Sequence, residues 1–245
     1  MNRNPPRPRA ATVLTAALLL LLAARVSPAQ ETLKVRNALR GYDLTVSLSG
    51  CGDEKRACSG PAVIRIHRKG AAVVFQSLSL PNVELYRETV EHNDETSPKP
   101  RGLYAEEYSF VVGDFNFDGL EDLAVCNGRD GGYGGPSYNV FLFDRGAGKF
   151  VESRRLSGLT DAPYLGLFSP DPKKKRLTAH TKSGCCYHET EVYAFIRNRP
   201  VLVEKVIEDA TLEGGAGEGF VLVTTKRRVG GRWVVRTKKE KLPQR

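Results

Sequence analysis

The chain has 245 residues, 40% hydrophobic and 27% charged, with a formal net charge of +9. No apolar run reaches the roughly 20 residues of a membrane-spanning helix, and no recognised nucleic-acid module accompanies the positive charge, which argues against both classes.

The first segment reads as a targeting signal. Arg3, Arg7 and Arg9 precede an almost wholly apolar run over residues 11–24. A basic head, a short apolar run and small residues at Ser27-Pro28-Ala29 predict a cleaved secretory signal over residues 1–29. An uncleaved anchor is the alternative. No cysteine follows the run, which argues against a lipid-anchored form. Cleavage after Ala29 leaves residues 30–245 as a single domain outside the cytosol, in the periplasm or secreted, with no stable membrane insertion. The leader takes four Arg and no acid with it, so the charge of +9 falls to +5.

The rest reads as many short strands. Candidates are residues 32–37, 43–48, 62–67, 72–80, 108–112, 122–126, 138–143, 150–153, 177–181, 187–197, 201–208, 220–225 and 233–237. They are rich in Val, Leu, Tyr and Phe, and several alternate apolar with polar, the period of a half-buried strand. Turn clusters such as Lys69-Gly70 and Gly230-Gly231 separate them. Residues 91–102, polar with two prolines, read as a long surface loop. The expected fold is all-β: a small irregular propeller, with a sandwich as the alternative. Eight Lys and Arg between 226 and 241 read as a solvated strand face and tail, weakly attracted to anionic surfaces.

Export permits disulfides. Cys51 and Cys58 bracket a short polar loop and are expected to bond. Cys126, Cys185 and Cys186 leave two possibilities: the adjacent pair closes on itself, or Cys126 takes one of them. A zinc site is disfavoured, since adjacent cysteines lack Cys-x-x-Cys spacing.

The strongest chemistry lies between the strands at 108–112 and 122–126. Asp114, Asn116, Asp118 and Asp122 place side-chain oxygens at positions 1, 3, 5 and 9 of a tight loop. Leu120, at position 7, offers its carbonyl, and Gly119 falls where the chain must turn. Calcium takes six to eight hard oxygen ligands in flexible geometry, which this spacing can wrap. Position 12 is Val125 rather than the bidentate Glu of a helix–loop–helix site, so the loop joins two strands. With no His in the cluster, a catalytic metal fits less well. Preceded by Gly113 and followed by Asp122-Leu123, the pattern resembles the calcium loops of FG-GAP repeats.

Two further segments stand out. Residues 127–136 form a glycine-rich loop with Tyr133, followed by a strand rather than the helix start that a phosphate site needs. Close backbone approach, beside the calcium loop, is the expected use. The second is Ser183-Gly184-Cys185-Cys186-Tyr187-His188-Glu189. With the calcium loop and Tyr133-Gly-Gly-Pro136, it resembles bacterial periplasmic immunity proteins against type IV-secreted peptidoglycan-cleaving effectors. The likeness covers residues 105–210. It implies a calcium-bound, propeller-like protein whose partner is a peptidoglycan hydrolase. Ser-Gly-x-x-Tyr is also similar to the motif by which periplasmic lysozyme inhibitors enter a lysozyme cleft; here it falls on Ser183, Gly184 and Tyr187. A strand tyrosine packed in a core is the competing role for Tyr187.

No assembled catalytic signature is present, so no enzyme is expected. His188 and Glu189 are strand neighbours and point to opposite faces. A calcium-dependent adhesive or scaffold protein of the envelope is the alternative to an inhibitor.

Overall fold

The computed structural model describes residues 30–49, 57–86, 109–214 and 216–242. The leader, the loop at 91–102 and Cys51 lie outside them. The described chain forms three antiparallel sheets, each a meander of sequential neighbours. Sheet A comprises β1 (Gln30–Leu39), β2 (Tyr42–Ser49), β3 (Ala57–Arg68) and β4 (Val74–Tyr86). Sheet B comprises β5 (Phe110–Gly113), β6 (Asp122–Gly128), β7 (Ser137–Asp144) and β8 (Lys149–Glu152). Sheet C runs from β9 (Ser169–Asp171) through β10 (Arg176–Ser183), β11 (Tyr187–Ile196), β12 (Arg199–Asp209) and β13 (Phe220–Val229) to β14 (Arg232–Lys241).

The alternation of side chains explains the layering. In sheet A, Leu44, Val46 and Leu48 of β2 and Ala62, Ile64 and Ile66 of β3 all turn inward. They meet Leu123, Val125, Phe141 and Phe150 of sheet B in one core. The intervening residues Ala124 and Cys126, with Tyr138 and Val140, face the other way and pack with Phe168, just before β9, and with Leu177 and Ala179 of sheet C. Sheet B is thus covered on both faces, so β6 reads as an unbroken apolar run, Leu123 to Cys126. Burying side chains on both sides at roughly 25 cal/mol per Å² makes this the most strongly held part of the fold.

The all-β expectation is met. Up-and-down connectivity is that of a propeller blade, and the described residues hold three such sheets against the roughly four to eight blades of a closed propeller. The sequence missed β9, three residues that pair with Thr178 to Arg176. It also missed α1, a single helical turn at Arg154–Ser157. That turn caps β7: the N–H of Val140 donates to Ser157 Oγ at 2.9 Å, and the N–H of Tyr138 to Thr160 Oγ1 at 2.8 Å. No described helix is long and apolar enough to cross a membrane.

Candidate functional site

The loop between β5 and β6 is anchored from inside. Phe115 and Phe117 turn into the sheet B–sheet C core, edge-on to Phe168 and Phe195. Asp122, the first residue of β6, is fully buried. Its Oδ2 accepts the N–H of Phe115 at 2.7 Å, and its Oδ1 the N–H of Phe143 at 2.9 Å. One carboxylate therefore ties the loop to the neighbouring strand. Burial raises its pKa to about 7; the two N–H donors pull against that, and the charges of Asp118 and Asp114 add to it.

Asp114 accepts the N–H groups of Asp118 (3.0 Å) and Gly119 (2.9 Å), one on each oxygen. The N–H of Asp118 is shared with Asn116 Oδ1 at 3.1 Å, and Asp118 Oδ1 accepts the N–H of Leu120 at 2.9 Å. Gly119 has φ +87°, which the left-handed turn demands and a glycine adopts without a Cβ penalty. Asn116 donates to Asp118 Oδ2 at 2.9 Å and to Asn198 of the β11–β12 turn at 3.3 Å.

The donor chemistry fits a hard cation: carboxylates, an amide oxygen and a carbonyl, with like charges that a cation would offset. Each carboxylate oxygen taking one N–H retains a further lone pair. Among the described residues, however, no three His, Cys, Asp or Glu side chains are grouped closely enough to hold a metal.

Ser183, Gly184 and Tyr187 form the β10–β11 hairpin end. Ser183 pairs with Tyr187 as the last register pair, and residues 184–186 close the turn. Ser183, Gly184 and Cys185 are exposed and Tyr187 is half-buried. Cys185 and Cys186 are bonded to each other. This settles the open connectivity: Cys126 lies in the core, its sulfur 3.8 Å from Gly128 O, far from the exposed tip. Cys58 is also disulfide-bonded; its expected partner, Cys51, lies outside the described residues.

Behind the tip runs a charged and phenolic network on one face of β11. Tyr187 donates to Glu189 at 2.8 Å. Lys205 of β12 reaches both Glu189 and Glu191 at 2.8 Å. Glu191 also accepts the hydroxyls of Tyr164 at 2.8 Å and Tyr193 at 2.5 Å. Burial would raise the Glu191 pKa, but Lys205 and the two hydroxyls outweigh it and hold the carboxyl below its usual range. At Lys205 the bonds to Glu189 and Glu191 outweigh burial and hold its ammonium above the usual lysine range. The hydrogen bond to Glu189 and partial burial raise Tyr187 in turn.

The glycine-rich loop meets this tip. Tyr133, 64% exposed, accepts the N–H of Gly184 at 2.6 Å, and Lys182 lies 4.5 Å over its ring. Two segments singled out separately in the sequence therefore form one surface. Close backbone approach explains the glycines, but the neighbour is not the calcium loop. The N–H of Gly132 donates to Tyr164 O at 2.6 Å, and a Cβ on Gly132 would stand 2.6 Å from Pro163 O.

No protein-family model matches the chain, and no curated protein does. Among solved structures it is similar to a Xanthomonas type IV secretion system related protein, at 26% identity and a TM-score of 0.62, over 86% of this chain and 99% of that one.

Proposed function

We propose that this chain is an exported, calcium-binding β protein of the periplasm that inhibits a lysozyme-like peptidoglycan hydrolase and is not itself an enzyme. The observation that carries the reading is the placement of Ser183, Gly184 and Tyr187 at an exposed hairpin end closed by a disulfide between neighbours. A rigid turn loses little freedom on entering a cleft. Tyr187 supplies half-exposed aromatic area, and Tyr133, whose hydroxyl oxygen accepts the Gly184 N–H, keeps its own proton to donate to a catalytic carboxylate. Similarity to a protein that is type IV secretion system related supports a secretion-linked setting, in which an immunity role against a secreted hydrolase is a natural one. A hairpin end carrying the motif favours this over the adhesive or scaffold reading, which calls for a broad flat face.

Calcium would be held by Asp114, Asn116, Asp118, Asp122 and the carbonyl of Leu120, where it offsets the mutual repulsion of the three carboxylates. Its role is to stabilise the β5–β6 connection.

The test is a cell-wall lysis assay with a panel of lysozyme-like hydrolases. Stoichiometric inhibition of at least one, lost in Tyr187→Ala, is expected. A folded protein that inhibits none of them, including any secreted hydrolase encoded beside its gene, rejects the reading.

A further inference from the structure

The outer strip of sheet C is built unlike the rest of the molecule. β13 pairs with β12 between Leu222 and Arg227, and β14 pairs with β13 along its whole length. Among the described residues β14 ends the strand order, so no described strand lies along its outer edge. All ten residues of β14 are exposed. Strand side chains alternate between faces, so exposure of every one leaves both faces uncovered. Large apolar residues concentrate here: Phe220, Val229, Trp233, Val234, Val235 and Leu242 are all exposed. An edge strand open on both faces gains little stability of its own, and exposed apolar groups clustered at it mark an interaction surface.

Charge selects the partner. β13 and β14 together hold eight Lys and Arg against one acid, Glu240. Arg227 is paired with Glu204 of β12 at 3.0 Å. A second copy of the chain would set an excess of positive charge against itself. A flat anionic surface meets only one face of a ribbon. On β14 the cations lie on both: Arg232, Arg236 and Lys238 on one, Lys239 and Lys241 on the other. An added strand meets both faces and also takes up the edge N–H and C=O groups.

We infer that the outer edge of β14 docks an extended acidic segment of a partner protein by strand addition. Lysine on an edge strand ordinarily deters pairing with other strands. The same charges admit an acidic strand, so deterrence becomes selection. The order of residues sets the register. Trp233, Val234 and Val235 adjoin the turn, and the cations from Arg236 to Lys241 follow. The docking segment therefore carries apolar residues beside an acidic run. This surface is independent of the hairpin end at 182–188.

Trp233 is the chain's single tryptophan, so its emission reports directly on the site. The probe is a synthetic peptide of ten residues, the length of β14, with Val and Thr followed by an acidic run whose Glu residues fall on both faces of the strand; a second peptide carries Lys for Glu. Expected are a saturable change in Trp233 emission with the Glu peptide and slowed amide exchange along β14. Arg236→Glu combined with Lys238→Glu, verified as folded by circular dichroism, should weaken the Glu peptide roughly tenfold or more and admit the Lys peptide. A change in emission without protection of β14 amides overturns strand addition. A response to phosphatidylglycerol vesicles and not to the peptide overturns the protein partner. Protection of β14 by self-association alone, or no response to any probe, also overturns it.

Discussion

The links β5–β6 and β10–β11 are both short connections between antiparallel strands, yet they are held by opposite means. The first is tied inward: Phe115, Phe117 and Asp122 are buried, and carboxylates collect its backbone N–H groups. The second projects outward and is tied by a covalent bond between neighbours, with its polar network beneath it. A link whose side chains fill the core contributes chiefly to stability. One whose backbone is braced while its side chains stay accessible contributes chiefly to recognition. Substitutions in the two links should therefore separate into those that melt the protein and those that only disarm it.

The largest effect is expected at Asp122. Asp122→Ala leaves the N–H groups of Phe115 and Phe143 without their acceptor. Orphaning a buried donor costs about 1–3 kcal/mol, so losing the acceptor of both should lower the unfolding free energy by roughly 2–6 kcal/mol in a urea titration. Asp122→Asn retains one acceptor oxygen and should lose about half as much. A near-wild-type midpoint for the Ala variant would mean that the buried carboxylate does not anchor the loop.

Calcium removal comes next. With free calcium near a hundred times its Kd, binding adds about 2.7 kcal/mol. A chelator should lower the melting temperature accordingly, and Asp118→Ala should melt like the chelated wild type and ignore added calcium. An unchanged midpoint under chelation, together with no calcium in the purified protein, removes the metal from the proposal.

What the sequence made legible follows the same division. The strands and their facing residues were readable because alternation survives wherever one face is buried, as in Leu44, Val46 and Leu48. β9 was not, because three residues including Pro170 carry no period. The order of oxygens from Asp114 to Asp122 is local, and so visible; the double acceptor role of Asp122 depends on Phe143, 21 residues away. The meeting of Tyr133 with Gly184 spans 51 residues and leaves no mark on either segment. Lys205 was likewise invisible, because its partners Glu189 and Glu191 face it across a strand pair rather than along the chain.

At the hairpin end the expected effects move from stability to binding. Tyr187→Ala should weaken inhibition of the target hydrolase about thirtyfold, the effect of losing an anchor worth roughly 2 kcal/mol. Its melting temperature should fall only modestly, because the ring is half-buried and its hydroxyl is shared with Glu189. Tyr133→Ala should show a smaller loss in the same assay. If Tyr187→Ala unfolds the protein instead, the tyrosine belongs to the core and the inhibitory surface must be sought elsewhere.

The smallest effect, and the sharpest separation of the two links, is expected at the disulfide of the tip. Cys185 and Cys186 are adjacent, so their bond closes almost no loop of the unfolded chain. The entropic stabilisation of a cross-link grows with the length it encloses, and here that length is minimal. Cys185→Ser with Cys186→Ser, which leaves the Cys58 disulfide intact, should keep the urea midpoint within error of the wild type. The turn carrying Ser183 and Gly184 would then sample more conformations and lose them again on entering a cleft. Ordering one or two such residues costs on the order of 1 kcal/mol, so inhibition should weaken about fivefold. The hydrogen bond from Gly184 N–H to Tyr133 still braces the turn, which keeps the loss well below that of Tyr187→Ala. A large drop in global stability would show that the bond holds the fold; inhibition as strong as wild type would show that Tyr133 and the strand pairing order the tip without it.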